Sequence, residues 1–201
     1  MPTFNQIRDI LSQKVVGIAG AGGLGSNCAC SLLRSGVGKL IVADFDIVSE
    51  ANLNRQFYFR DQIGQKKVFA LRDNLLRINP VECIQAHDTK ITEENIGLLY
   101  STCDVVVEAF DDASQKEMFI NYVLSNFPEK PLVAGSGMAG WGALDLLKIT
   151  KSGNLYVCGD EQNEVTVNNP AFASRVNIVA NMQADKVVEL LLEEFYLTNK
   201  N

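Results

Sequence analysis

The chain has 201 residues, 47% hydrophobic and 21% charged, with 18 basic and 24 acidic side chains and a net charge of −6. That balance suits an ordinary globular domain, excludes collagen-like, coiled-coil and long disordered chains, and disfavours general nucleic-acid binding. No apolar run reaches the roughly 18 residues of a membrane span, and the opening MPTFNQIRDI lacks the basic and apolar regions of a secretory signal, so a soluble cytoplasmic protein is expected.

Residues 15–19 (VVGIA) form a β-branched run that ends in glycines, and they are predicted as a buried parallel strand. Residues 23–35 have helical spacing, with Leu24, Cys28, Leu32 and Leu33 near one face. A second strand over 39–43 ends at Asp44, and 47–63 is polar with no clean period. The helix expected over 65–78 places Val68, Leu71, Leu75 and Ile78 on one face, and Asn79-Pro80 stops it. A third strand over 82–86 and a short helix over 92–100, N-capped by Thr92, come next. They are followed by a strand over 104–109, a helix over 112–127 and a strand over 131–134.

After Gly135 the rhythm changes. Residues 136–142 are glycine-rich, 143–149 and 155–158 are predicted as a late strand pair, 159–174 as a mobile loop, and 176–195 as a closing helix. No linker divides the chain, so 1–201 is expected to be a single domain. Strands alternating with helices predict an α/β fold: a Rossmann-like, doubly wound, mainly parallel sheet with helices on both faces and a late antiparallel pair. Right-handed crossovers would bring Asp44, residues 108–112 and residues 135–137 to one sheet edge, where ligands bind.

Gly20-Ala21-Gly22-Gly23-Leu24-Gly25 matches G-x-G-x-x-G between a strand and a helix. Gly20 permits the tight turn, Gly22 lets a phosphate approach the backbone, and Gly25 allows close helix packing; the helix N-terminus favours an anion. Asp44, nineteen residues after Gly25, is placed to accept hydrogen bonds from ribose hydroxyls. This pair fits NAD, FAD and ATP alike.

The charge is uneven. Arg55, Arg60, Lys66, Lys67, Arg72 and Arg77 face only Asp61 and Asp73 within their stretch, giving it +4 and leaving −10 elsewhere. Either this is a solvated basic helix face or it is a focused anion site. A triphosphate needs such cations, whereas hydride transfer does not. Asn52, Arg55, Gln56 and Lys67 supply groups for phosphate oxygens just after Asp44 and Asp46, and Asp111 could hold Mg²⁺ through one carboxylate. The five cysteines, Cys28, Cys30, Cys83, Cys103 and Cys158, are odd in number and form no C-x-x-C pair, so neither a disulfide framework nor structural zinc is expected. Cys28, Cys83 and Cys103 suit the core. Cys158, beside the acidic loop, is weighed as a covalent or redox group against a strand-end residue with no role. His87, the one histidine, has no nucleophile beside it in sequence.

The run DFDIVSEANLNRQFYFRDQIGQKKV, with GAGGLGSN before it and RINP after it, resembles the ThiF/MoeB/ubiquitin-activating-enzyme-like superfamily. VVVEAFDD, VAGSGMAGWG and the helix after PAFASRV extend the likeness over about residues 14–195. The chain looks most like the short ThiF subfamily, adenylyltransferases for the sulfur carrier ThiS. The resemblance implies ATP-dependent adenylation of a carrier's C-terminal Gly-Gly carboxylate, with pyrophosphate released and a separate sulfur donor. It implies a homodimer, Gly20, Gly22, Gly23 and Gly25 near the phosphates, Asp44 on the ribose, and Asp46 among the nucleotide-binding residues. It also implies Asn52, Arg55, Gln56 and Lys67 on the phosphates, and Asp111 on Mg²⁺. Glycines in 135–142 would suit a channel for the tail or serve as ordinary turns. Arg8 is the only early counterpart of an arginine that longer relatives lend to the partner subunit's ATP, and a surface role is expected for it. Alternatives are the molybdopterin synthase carrier, another carboxylate, a docking module without catalysis, and a nicotinamide-dependent oxidoreductase.

Overall fold

Strand alternation sorts the core into two layers. The 15–19 run forms β1 (Val15–Ala19) inside a seven-stranded sheet. The computed structural model describes residues 3–80 and 84–198. Val16 and Ile18 pack toward one face, and Ala19 toward the other. β2 (Lys39–Asp44), β4 (Val105–Glu108) and β5 (Leu132–Gly135) follow the same rule. Leu40, Val42, Val105, Val107 and Val133 face one way, and Ile41, Val106 and Leu132 the other. With β3 (Ile84–Asp88), β6 (Lys148–Ser152) and β7 (Leu155–Gly159) the order is β3-β2-β1-β4-β5-β7-β6, parallel except for the β6–β7 pair.

Helices cover both faces, as expected. α2 (Gly23–Ser35), α3 (Lys67–Leu76) and α6 (Ala173–Thr198) contribute Leu32, Leu71 and Val187 to the first layer. α4 (Glu93–Tyr100) and α5 (Ala113–Asn126) contribute Ile96, Tyr100, Phe119 and Val123 to the second. β1 is narrow on that side because Tyr100 lies against it: a Cβ on Gly17 would sit 2.5 Å from Tyr100 Cδ1, and the Tyr100 hydroxyl donates to Ile18 O at 3.1 Å. Order reverses between β1 and β4, so the C-terminal ends of β1, β2, β4 and β5 open a crevice there.

Three differences from the sequence reading bear on the fold. A first helix, α1 (Phe4–Leu11), precedes β1, capped by Thr3, whose Oγ1 accepts from Gln6 N. β3 runs to Asp88, two residues past its expected end, because His87 and Asp88 complete the register with Ala43 and Asp44. The expected start of β3 at 82–83, and Cys83 with it, lie outside the described residues. Residues 143–147 are not strand. Ala143 takes φ +46° and opens a short turn over Leu144–Leu146, and β6 begins only at Lys148 as an exposed edge. Among the described residues no helix is long and apolar enough to cross a membrane.

Phe119 is fully buried, edge-on to Tyr100 (5.7 Å) and Phe110 (5.6 Å). Phe119→Ala is expected to cost about 3–5 kcal/mol. Urea denaturation checks this, and a loss below about 1 kcal/mol would show that the second layer does not depend on this ring.

Candidate functional site

The crevice begins at a turn that only glycine can make. Gly20 adopts φ +99°, and a Cβ there would lie 2.8 Å from Ala109 O at the end of β4. At Gly25 a Cβ would stand 2.0 Å from Gly20 O, so α2 starts directly on the turn. Asp44, at the tip of β2, fastens the loop: its Oδ2 accepts from Ala21 N (2.7 Å) and its Oδ1 from Asp46 N (2.8 Å). Burial raises the Asp44 pKa, while those two N–H groups and Lys67 pull it back.

The irregular segment after β2 is strapped across this turn. Tyr58, buried, donates its hydroxyl to Ala21 O (2.7 Å). Ser26 Oγ donates to Gly22 O (2.6 Å) and accepts from Phe57 N (3.0 Å). Asn27 Nδ2 donates to Gly23 O (2.7 Å) and to Arg55 O (2.9 Å). Beneath, the paired amides of Gln62 and Asn74 fix the strap to α3, with Asn74 Nδ2 on Phe57 O at 2.8 Å. Arg55 and Gln56 are thereby held over the glycine turn. Lys67, the first residue of α3, is only 6% exposed, and its ammonium donates to Asp46 Oδ2 at 2.7 Å.

The opposite wall comes from β4, α5 and β5. Glu108 is fully buried, its Oε1 accepts from Phe110 N (2.7 Å), and Lys116 of α5 donates to its Oε2 and to Gly135 O (2.8 Å). Asp111 is exposed at the rim. Glu164, Val165 and Ala171 line the far end, and outside the lining Asp160 Oδ2 pairs with buried Arg175 at 2.5 Å, while Arg175 also donates to Gly142 O. A Cβ on Gly137 would collide with Asp160 Oδ1 at 2.0 Å, so residues 137–142 and the segment after β7 are laid against each other. Ala139 N–Asn163 O (3.0 Å) and Gly140 N–Pro170 O (3.0 Å) continue that seam. The 159–174 loop therefore carries a buried anchor that its polar sequence did not disclose.

The resulting cavity of about 590 Å³ is of ligand size. Gly20, Gly22, Gly23, Asp44, Asp46, Arg55, Gln56, Lys67 and Asp111 all line it, although the sequence scatters them over 92 positions. Two expected residues are not in its lining. Gly25 lies beneath the turn as packing, and Asn52 spends its Oδ1 on Ser49 N (2.9 Å). The basic stretch divides. Arg55 and Lys67 reach the cavity, Arg60 pairs with Glu50, Lys66 with Asp88, Arg72 with Asp73, and Arg77 stacks on Phe59. Arg8 lies over Phe4 on α1.

Sequence reading missed Tyr58, Asn27, the Glu108–Lys116 pair and the Asp160–Arg175 pair. Asn27, Tyr58 and Glu108 stand inside the quoted motifs GAGGLGSN, DFDIVSEANLNRQFYFRDQIGQKKV and VVVEAFDD, but nothing in the sequence showed their partners. Cys28, Cys103 and Cys158 are buried. Burial pushes the Cys158 thiol up to about 12 against the partial pull of Lys186, so it stays protonated and is a poor nucleophile. The Gln56 carbonyl oxygen is buried without a hydrogen-bond partner among the described residues. With Arg55 and Lys67 beside it, the wall offers both an acceptor and cations to a ligand that carries phosphates and hydroxyls.

A family model described as "ThiF family" matches residues 4–201. The chain belongs to the ThiF family. Among curated ThiF-like relatives, ubiquitin-like modifier-activating enzyme 5 of Caenorhabditis briggsae is 42% identical over 122 residues, 61% of this chain and 26% of that protein. Adenylyltransferase and sulfurtransferase MOCS3 of Culex quinquefasciatus is 33% identical over 152 residues, 74% of this chain and 33% of that protein. The chain thus spans a quarter to a third of these relatives. Among solved structures, E. coli tRNA N6-threonylcarbamoyladenosine dehydratase TcdA in complex with ATP superposes with a TM-score of 0.85 at 19% identity, covering 95% of this chain and 90% of that one. E. coli MccB with ATP gives 0.70 at 24% identity, covering 92% and 57%. These likenesses establish the ThiF fold.

Burial tends to raise the Asp160 carboxyl, but Asn163, Gln162 and Arg175 outweigh it and hold the group at about 2, below its ordinary 3.8. A depressed carboxyl contributes stability that is complete above the unfolded value and is lost as pH falls through the folded one. Wild-type stability should therefore drop, relative to Asp160→Asn, between about pH 4 and pH 2. Urea midpoints at about pH 6, 4, 3 and 2 check this. Parallel curves for the two proteins would remove Asp160 as the anchor.

Proposed function

We propose that residues 1–201 form an adenylation domain that activates the C-terminal carboxylate of a ubiquitin-like, Gly-Gly-ended carrier protein with ATP. A carboxylate oxygen attacks the α-phosphorus, the bond to the bridging oxygen breaks, and pyrophosphate departs with the electron pair, leaving an acyl adenylate. The attacking group is already an anion, so neither a nucleophilic side chain nor a general base is required, and catalysis consists of positioning and charge stabilisation. The observation that carries this reading is the convergence of Arg55, Gln56, Lys67 and Asp111 around the glycine turn in one cavity.

In this scheme the turn's free N–H groups and Arg55 take phosphate oxygens, Gln56 takes a hydroxyl or a phosphate, and Asp44 and Asp46 face the ribose. Lys67, already oriented by Asp46, meets the charge that develops on the leaving pyrophosphate. Asp111 is exposed at the rim and suits a hard cation. Among the described residues no three His, Cys, Asp or Glu side chains converge, so a metal here would take its other ligands from phosphates and water. Bound there, Mg²⁺ would neutralise phosphate charge. A nicotinamide reading leaves Arg55 and Lys67 without a task.

The name of ubiquitin-like modifier-activating enzyme 5 supports a ubiquitin-like partner, and that of adenylyltransferase and sulfurtransferase MOCS3 supports adenylyl transfer. Within that class we propose ThiS, of thiamine thiazole synthesis, as the carrier, with the molybdopterin synthase carrier second. The buried, protonated Cys158 supports a separate sulfur donor. A cytoplasmic homodimer belongs to the same proposal, and sedimentation checks the dimer.

ATP–pyrophosphate exchange with Mg²⁺ and ThiS tests the reaction. Arg55→Ala and Lys67→Ala are each expected to lower exchange about 100-fold or more with the fold retained by circular dichroism. Wild-type exchange in both folded variants would remove them from the site. Asp111→Asn is expected to raise the Mg²⁺ concentration needed for half-maximal exchange, and an unchanged Mg²⁺ titration would free Asp111 of that role.

A further inference from the structure

An acyl substrate that attacks ATP brings one anion toward another, and the cations considered so far, Arg55 and Lys67, sit on the β2 side of the cavity with the glycine turn. The approach side needs its own positive group, because two like charges in a partly desolvated site repel strongly. One stands there. Lys116, in the first turn of α5, has a side chain 25% exposed and lines the cavity beside Gly135 and Ser136.

Its placement is not that of an adaptable surface lysine. The ammonium donates to Glu108 Oε2 and to Gly135 O, which uses two of its three N–H groups. Glu108 is fully buried in β4 and fixed through Phe110 N, so the cation is pinned where β4 and β5 end. The wall next to it is backbone at Gly135, where a Cβ would stand 2.5 Å from Leu24 Cδ1, and it continues into the small side chain of Ser136. A pinned ammonium with one N–H to spare, beside a strand end that carries only glycine and serine, is a receptor for a terminal carboxylate on a slender chain.

We infer that Lys116 is the cation that receives the carboxylate of the acyl substrate, an inference that rests on the adenylation reading and names the acceptor end of the same site. Glu108 is then a positioning residue that holds the ammonium.

The test separates this from the adenylation reading by using binding rather than turnover. The probe is a hexapeptide ending in Gly-Gly, as the free acid and as the C-terminal amide, titrated by NMR in the presence of a non-hydrolysable ATP analogue. The analogue's own affinity is measured by calorimetry on the same samples. Wild-type protein is expected to bind the acid at least about tenfold tighter than the amide, as expected for a charge-assisted bond. Lys116→Arg should keep that preference, and Lys116→Met should erase it while binding the analogue as before. Lys116→Met leaves Glu108 buried without its cation, so the neutral pair Glu108→Gln/Lys116→Met serves as the stable control, and it should also lose the preference. No difference between acid and amide in wild type, or a preference that survives in both Met variants, overturns the assignment. Failure to bind the analogue, with the acid preference intact, counts against ATP and leaves Lys116 as a carboxylate site.

Discussion

The backbone contact at the glycine turn is the one on which the other parts depend. β1 ends, turns at Gly20 and feeds α2, and the helix begins so near the turn that Gly25 has no room for a methyl group beside Gly20 O. On the other side a Cβ on Gly20 would stand 2.8 Å from Ala109 O. β1, α2 and the tip of β4 are therefore joined at one point by backbone alone. A helix N-terminus with unpaired N–H groups is delivered to the switch in strand order, where a parallel sheet leaves a crevice.

Polar contacts then secure what the backbone places. Asp44 closes the loop from the β2 side, and Tyr58, Ser26 and Asn27 lash the following segment over it. These are hydrogen bonds between partly or fully buried groups, where breaking one leaves its partner unsatisfied. Three ion pairs stand in or behind the walls of the site in ascending burial: Lys67–Asp46, Lys116–Glu108 and Arg175–Asp160. Each ties together two different segments of the chain. Buried pairs contribute little net stability compared with apolar packing, so their use here is geometric: they fix where a charge stands.

Much of this was legible in one dimension. β-branched runs spaced by amphipathic helices gave the parallel sheet, and G-x-G-x-x-G with an acid nineteen residues on gave the ligand edge, because both signals are local. The cationic segment was legible as charge but not as geometry. Six basic residues looked alike, and only packing showed that Arg55 and Lys67 turn to the cavity while Arg60, Arg72 and Arg77 turn away. Asn52 shows the same limit: its residue type suited phosphate, but its own turn claims its side chain. The edge strand β6 was misplaced by five residues because an exposed strand has no apolar alternation to mark it.

The amino-acid sequence by itself determined the layer order, the glycine turn, the acidic tip of β2 and the family, since these rest on spacing along the chain and on residue type. The tertiary structure alone decided which cations serve the cavity, that Glu108 holds Lys116, and that Asp160 and Arg175 anchor the last loop. Those pairings join residues that are 8 and 15 positions apart but lie on different elements. Burial selects their partners, because a charge removed from water must find an opposite one wherever the fold has brought it.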